Sequence, residues 1–397
     1  MGTSELGLTP ARVFLAGSLC LIFFSLSPGQ MTPVSVHGQL RVQGNRIVDK
    51  NGLPVALNGM SMYAWNQQGL QFYNATSVKR LAQEWKCTVL RIPILPGSEG
   101  SQTNLVKTVV DACIANGVYA IIDWHSMGGA QAGAASTFFK SMATAYGTTP
   151  NVMYEPWNEP VNENWATIKA YHVQVIQAIR AIDPDNIIIC GNPSWDQHPE
   201  IAAADPIATS SNIAYSVHFY AASHKQSFRN NAALALAKGI ALFSTEYGTS
   251  EASGSGAFDA AETKLWWTFL QANGIGSANW SVSALGETSA AFKDGTSATG
   301  WTDANLKPSG SLVKDFIIGT YAATVGIKRN ELNPARYDKD KGTAFSNLGE
   351  GAGSGEVYSV QGSRIDRVPG SAPANGCYML QSSAAGKSQS VSLLHSP

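Results

Sequence analysis

Between residues 40 and 318 the chain alternates two periodicities. Short apolar runs rich in β-branched and aromatic residues are separated by longer stretches with apolar residues three and four positions apart. The runs predict eight core strands: Ala56–Met60, Thr88–Ile94, Val118–Asp123, Val152–Glu155, Ile187–Cys190, Ile213–Phe219, Ile240–Thr245 and Gly276–Trp280. The stretches between and after them predict helices over Val78–Trp85, Leu105–Asn116, Ser136–Tyr146, Ala166–Ile182, Glu200–Ala204, Phe228–Ala237, Ala260–Asn273 and Ser311–Ile318, the fifth short and weak. Asn116-Gly117, Asp183-Pro184 and Asn273-Gly274 stand directly before the next strand, where a glycine or a proline ring stops a helix. Eight consecutive strand–helix units predict an α/β fold, a parallel sheet closed into a (β/α)8 TIM barrel. Ahead of it, Leu40–Val55 carries turn signals at Gly44-Asn45 and Asn51-Gly52 and predicts a short N-terminal β-hairpin. An open doubly wound sheet is the alternative. It normally binds a nucleotide at a glycine-rich first turn, and Met62-Tyr63-Ala64-Trp65-Asn66 has no glycine.

The ends read differently. Arg12 precedes the apolar run Val13–Phe24, and Ser27-Pro28-Gly29 follows. This is the pattern of a secretory signal peptide over residues 1–30, and the run is shorter than the roughly 20 apolar residues of a membrane span. A retained N-terminal anchor is the rival. From about residue 320 the hydrophobic period is lost in a Gly/Ser-rich segment such as Gly349–Gly355. The expected organisation is thus a signal over 1–30, one catalytic barrel over 36–319 and a flexible tail over 320–397. An exported, extracellular protein with no membrane attachment after signal cleavage follows. Removing Cys20 leaves Cys87, Cys113, Cys190 and Cys377, which permit one or two disulfides or none. Asn74-Ala75-Thr76 and Asn279-Trp280-Ser281 match the glycosylation sequon, the second at the end of a core strand.

Charge narrows the function. Among 397 residues, 27 Lys and Arg face 28 Asp and Glu, a net charge of −1. Charged residues make up 14%, against about 25% in average chains. There is no basic field for nucleic acid, and 44% hydrophobic residues exclude a charged disordered chain. Nothing in the chain demands more than a monomer.

Barrel chemistry sits at the C-terminal ends of the strands. There the sequence places Arg91, Asp123-Trp124-His125, Glu155-Pro156-Trp157-Asn158-Glu159, His218-Phe219-Tyr220, Thr245-Glu246-Tyr247 and Asn279-Trp280. No cofactor motif joins them, and no His-x-His or Lys completes a metal set around His125 and His218, so neither cofactor nor metal is expected. Two carboxylates from strands 4 and 7, Glu159 and Glu246, match glycosidic bond cleavage, which needs one protonated and one ionised acid. Arg91 and Tyr220 can hydrogen-bond an ionised carboxylate, Asn158 a sugar hydroxyl, and Trp faces stack on pyranose rings. Glu155 is read as pointing away from the mouth, Asp123 and His172 as structural, and Glu251 and Glu287 as loop residues at most bordering a cleft.

Leu90-Arg91-Ile92-Pro93, Ile122-Asp123-Trp124-His125, Trp157-Asn158-Glu159-Pro160, Val217-His218-Phe219-Tyr220, Ser244-Thr245-Glu246-Tyr247-Gly248 and Ala278-Asn279-Trp280-Ser281, in that order, resemble glycoside hydrolase family five, in its bacterial-type endoglucanase (cellulase) branch. The resemblance covers about residues 36 to 318. It implies a retaining endo-β-1,4-glucanase acting on a β-1,4-glucan, with Glu159 as acid/base and Glu246 as nucleophile. Arg91, His125, Asn158, His218, Tyr220 and Trp280 are then substrate-binding or positioning residues, with Tyr63, Trp65 and Trp195 as further sugar contacts. Two departures bear on substrate choice. Met62-Tyr63-Ala64-Trp65 replaces a stretch that commonly holds a His, and Leu285 stands where a Lys is common. A mannanase or xyloglucan-type enzyme on the same scaffold and an inactive glycan-binding protein are the rival readings.

Overall fold

A computed structural model describes residues 31–129 and 131–325, with four short strands between residues 356 and 395. The eight expected strands are present as Asn58–Met62, Val89–Ile94, Tyr119–Trp124, Val152–Glu155, Ile188–Cys190, Ile213–Ser216 with its continuation Phe219–Tyr220, Leu242–Gly248 and Gly276–Val282, here called strands 1 to 8. Neighbours run parallel, and strand 8 pairs with both strand 7 and strand 1, closing the barrel. The expected helices are present with ends shifted by a few residues: the first is Ala75–Gln83, the seventh stops at Ala272, and the last runs past Ile318 to Thr324. The fifth is the six-residue Pro199–Ala204, short because Pro199 starts it and Asp205 ends it.

Alternation along the strands separates two cores. Leu90, Ile92, Ala120, Ile122, Val152 and Tyr154 face outward into the layer under the helices. Val89, Tyr119, Ile121, Met153, Ile189, Ala214 and Phe243 face inward. The expected hairpin forms from Arg41–Gln43 and Arg46–Val48, and its Leu40 and Ile47 join the inward core with Val55 and Leu57, sealing the floor of the barrel. Strand 1 lies so close to strand 2 that a Cβ on Gly59 would fall 1.7 Å from the Val89 carbonyl oxygen, which only glycine avoids. An apolar floor leaves the polar chemistry to the opposite mouth.

Strand 6 breaks where one run was expected. The His218 amide donates to the Asp196 carbonyl at 3.1 Å instead of to the neighbouring strand, which turns His218 into the mouth. The pairing of strands 7 and 8 shifts register between Ser244 and Tyr247, a bulge that carries Glu246.

Cys87, Cys113 and Cys190 are buried free thiols. Asn74 caps helix Ala75–Gln83, accepting from the Ser77 amide, and Asn279 is wholly buried. The signal-peptide reading of residues 1–30 falls outside the described residues, as does most of the Gly/Ser-rich segment. Within that segment Glu356–Ser359, Arg364–Ile365, Cys377–Ser382 and Ser390–His395 pair into an antiparallel sheet, in a compact unit from Asn330 onward.

Candidate active site

The mouth is built upward from the inward-facing rows. Two residues beyond Val89, Ile121 and Met153 come Arg91, Asp123 and Glu155, so all three point inside the barrel. Glu155 therefore does not point away, as the sequence reading expects; parity counted from Met153 turns it inward. Arg91 is completely buried. Its Nε donates to Glu155 Oε2 at 2.7 Å and its Nη1 to Glu246 Oε2 at 2.8 Å. Its Nη2 donates to Asn158 Oδ1 at 2.5 Å and lies 3.0 Å from Asp123 Oδ2. One planar guanidinium thus organises three carboxylates, a task its rigid fork of donors suits.

Beyond strand 4 the backbone keeps its ladder. The Asn158 amide donates to the Trp124 carbonyl and that of Glu159 to the Ser126 carbonyl, both at 3.0 Å. These bonds hold Glu159 over the mouth. His218 Nδ1 lies 3.0 Å from Glu159 Oε1, and its Nε2 lies 2.8 Å from Thr245 Oγ1. On the other side Tyr220 donates its hydroxyl to Glu246 Oε1 at 2.8 Å. One carboxylate oxygen of Glu159 and one of Glu246 lie within 4.8 Å of each other and of a His218 ring nitrogen.

The two acids differ in setting. Burial raises the Glu246 carboxyl, but Arg91 above all, with His218, His125 and the Tyr220 hydroxyl, brings it below the usual glutamate value. Burial likewise raises Glu155, and Arg91 and His218 override it, leaving it at about 2. Glu159 has no arginine; its side-chain partner is His218.

The cleft above these acids has a volume of about 580 Å³. His125, Asn158, Glu159, His218, Tyr220, Glu246 and Trp280 line it, as do Trp65 and Trp195, 49% and 41% exposed. Trp280 stacks on His125 with ring centroids 5.2 Å apart and planes 2° apart, and His125 is aimed by Asp123, 2.7 Å from its Nδ1. Two expected sugar contacts lie deeper. Arg91 sits beneath the acids, and Tyr63 is buried behind Trp280, 5.3 Å between centroids. Asp123 serves as orienter of His125 and partner of Arg91, while His172 is structural as expected, buried with Nε2 on the Gly191 carbonyl and lowered by burial to about 4.

The sequence reading leaves several cleft residues out or undecided. Glu287 lines the cleft, raised by burial and by the charge of Glu246. Leu285, at the position where a Lys is common, packs its side chain with Tyr63, Tyr220 and Trp280. The ammonium of Lys307 donates to the carbonyls of Leu285 and Glu287, so a cation reaches this wall from elsewhere in the chain. Met127, Gln197 and His224 also line the cleft, and Asp196 and Thr245 lie behind His218. Loop residues such as Gln197 and Lys307 carry no periodic signal that points to a site.

A closed parallel barrel with an acid pair, an arginine beneath it and a tryptophan-walled cleft defines a glycoside hydrolase. The sequence profile described as cellulase (glycosyl hydrolase family 5) matches residues 48–286, and the chain belongs to that family. It is 40% identical over 328 residues to an endoglucanase of Clostridium saccharobutylicum, covering 77% of this chain and 72% of that protein. Among solved structures, one from Cytophaga hutchinsonii is 43% identical with a TM-score of 0.71, covering 75% of this chain and 98% of that one. The catalytic domain of Thermobifida fusca endoglucanase Cel5A is 32% identical with a TM-score of 0.69, covering 72% and 99%; a glutamate-to-glutamine variant of it was solved with cellotetraose. The chain is a cellulase-type glycoside hydrolase, of a family that works with retention.

Proposed function

We propose that this protein is an exported endo-β-1,4-glucanase that cuts internal bonds of cellulose or a related β-glucan, with Glu246 as nucleophile and Glu159 as acid/base. The observation that carries the assignment is the acid pair. Its oxygens approach within 4.8 Å, and Arg91 and Tyr220 bond one member, Glu246, while His218 bonds the other, Glu159. Retaining enzymes hold their carboxyl groups about 5 to 5.5 Å apart, leaving no room for a water between acid and base on opposite faces of the sugar.

In this reading each step has a residue. Arg91 and Tyr220, each bonded to one oxygen of Glu246, keep it ionised for attack on the anomeric carbon. Glu159 gives its proton to the departing glycosidic oxygen while Glu246 forms the covalent glycosyl ester. Glu159 then takes a proton from water, which attacks the same carbon and releases Glu246. Trp280, Trp65 and Trp195 offer faces for successive glucose rings, and the scarcity of cleft cations suits an uncharged chain.

The domain reading keeps a signal over 1–30 and a barrel over 36–319. No helix of the described residues is long and apolar enough to cross a membrane. Two measurements test the proposal. Reducing-sugar release on carboxymethylcellulose is expected to exceed release on mannan and xyloglucan, and the reverse order overturns the substrate assignment. Glu159→Gln is expected to lower kcat/KM about 10²- to 10⁴-fold on an aryl cellobioside whose leaving group needs a proton, and far less on a dinitrophenyl one. Equal loss on both removes Glu159 from the acid role.

A further inference from the structure

Behind the acid/base centre lies a carboxylate with one oxygen unaccounted for. Asp196 is fully buried on the loop after strand 5. Its Oδ1 accepts from the Asn192 amide at 2.6 Å. Its Oδ2 has no hydrogen-bond partner among the described residues and lies 3.6 Å from Nε2 of His218. Its carbonyl accepts from the His218 amide. The backbone that brings it there is unusual. Ser194, Trp195 and Asp196 all adopt positive φ, at 57°, 56° and 59°. Non-glycine residues hold such angles only where the surroundings impose them, and here the Trp195 amide is pinned to the Pro160 carbonyl at 2.8 Å. The same turn thus sets Trp195 at the cleft and Asp196 beneath His218.

The two edges of the imidazole face different groups. Around Nε2 stand the Thr245 hydroxyl, Oγ1 at 2.8 Å, and two acids, Asp196 Oδ2 at 3.6 Å and Glu155 Oε1 at 3.7 Å. Nδ1 lies 3.0 Å from Glu159 Oε1. Glu155 is already engaged by Arg91, as are Asp123 and Glu246, so these three acids share one cation. Asp196 has no such cation.

We propose that Asp196 is a positioning residue of the acid/base centre: it keeps the Nε2 edge of His218 protonated and commits Nδ1 to Glu159. The inference rests on Glu159 being the acid. One proton is then shared across the 3.0 Å contact, held on Glu159 for the first step and returned there after the second. The charged and titratable groups facing His218 are Asp196, Glu155, Glu159 and Glu246. Burial lowers the imidazole, but these four acids, Asp196 first, raise it well above its ordinary value. Burial pushes Asp196 itself up, the charge of His218 and the Asn192 amide pull it down, and Glu155 and Glu159 push it up again, so Asp196 and His218 titrate as a pair.

The sign follows. Of the four acids Asp196 does most to raise the proton affinity of His218, and a neutral asparagine cannot, so Asp196→Asn is expected to move the basic limb of the kcat/KM profile down by about one pH unit. The asparagine still offers an oxygen to the Asn192 amide. At neutral pH the variant is expected to lose about tenfold on phenyl β-cellobioside, whose leaving group needs a proton, and less than about twofold on the dinitrophenyl glycoside. Retained turnover of the second substrate also reports a folded site. Asp196→Ser, a smaller acceptor for the same amide, serves if the asparagine variant does not fold. A basic limb that stays in place, or equal losses on both substrates, overturns the proposal and leaves Asp196 a packing residue. Glu159→Gln on the same pair separates the claims: equal losses there overturn the acid assignment and the role of Asp196 together, whereas a leaving-group effect with an unmoved Asp196 variant overturns only the latter.

Discussion

Glu246→Gln is expected to reduce turnover of carboxymethylcellulose by about 10⁴-fold or more while leaving binding of a cellotetraose-length ligand within a few-fold, because glutamine keeps the shape and loses the attacking charge. Loss of a nucleophile in other hydrolases costs up to about 10⁶-fold, the residual rate coming from the remaining site. The amide oxygen can still accept from Arg91 while its NH2 donates to the Tyr220 hydroxyl oxygen, so the cleft is retained. A fluorinated cellobioside that traps the covalent intermediate is expected to label Glu246. Labelling of Glu159 or of Glu287 instead sinks the assignment, and so does near wild-type turnover. The pH profile carries the same information from the acid side. A nucleophile acts once ionised, and Glu246 ionises below the usual glutamate range, so the acid limb of kcat/KM is expected below the ordinary value of 4.5.

Arg91→Met is expected to cost both activity and fold. The guanidinium is buried against Glu155, Glu246 and Asp123, and its removal leaves three carboxyls in an apolar barrel without their cation. Breaking one buried pair typically costs about 3–5 kcal/mol, and water or protonation must then neutralise the remainder. Urea unfolding at pH 7 measures this. The sign with pH is fixed by Glu155, which is lowered from 4.5 to about 2 in the fold. That stabilisation is fully present above the unfolded value and disappears as pH falls through the folded one. The difference between wild type and variant is therefore expected to be largest above about pH 5 and to shrink between pH 4.5 and 2. A constant difference across that range means the ion cluster is not its source. Arg91→Lys is expected to keep part of the stability and little of the activity, since one ammonium cannot reach Glu155, Asn158 and Glu246 together.

Much of this was legible before any coordinates. A barrel strand advertises itself by a short apolar run, and its active end is simply where the run stops; Glu159, Glu246, His125, His218, Tyr220 and Trp280 were found that way. Glu155 carries its signal too, since it shares the parity of inward-facing Met153. Arg91 was placed as a site residue, but not that it lies wholly beneath the acids, because reach and depth depend on the barrel radius. Asp196, Glu287 and Lys307 belong to loops and a helix start, where no periodicity assigns a direction to a side chain.

The sequence by itself determined which residues are strand, which helix, and which polar groups stand at the same end of the barrel. Those are local properties: the period of burial and the place where it ends. What only the tertiary structure decided is how charge is shared. That Arg91 serves three carboxylates, that Glu159 is left to His218, and that Asp196 backs His218 through a turn of positive φ depend on distances between strands far apart in the chain. Coulombic and hydrogen-bond energies fall steeply over a few ångströms, and only closure of the barrel sets those ångströms.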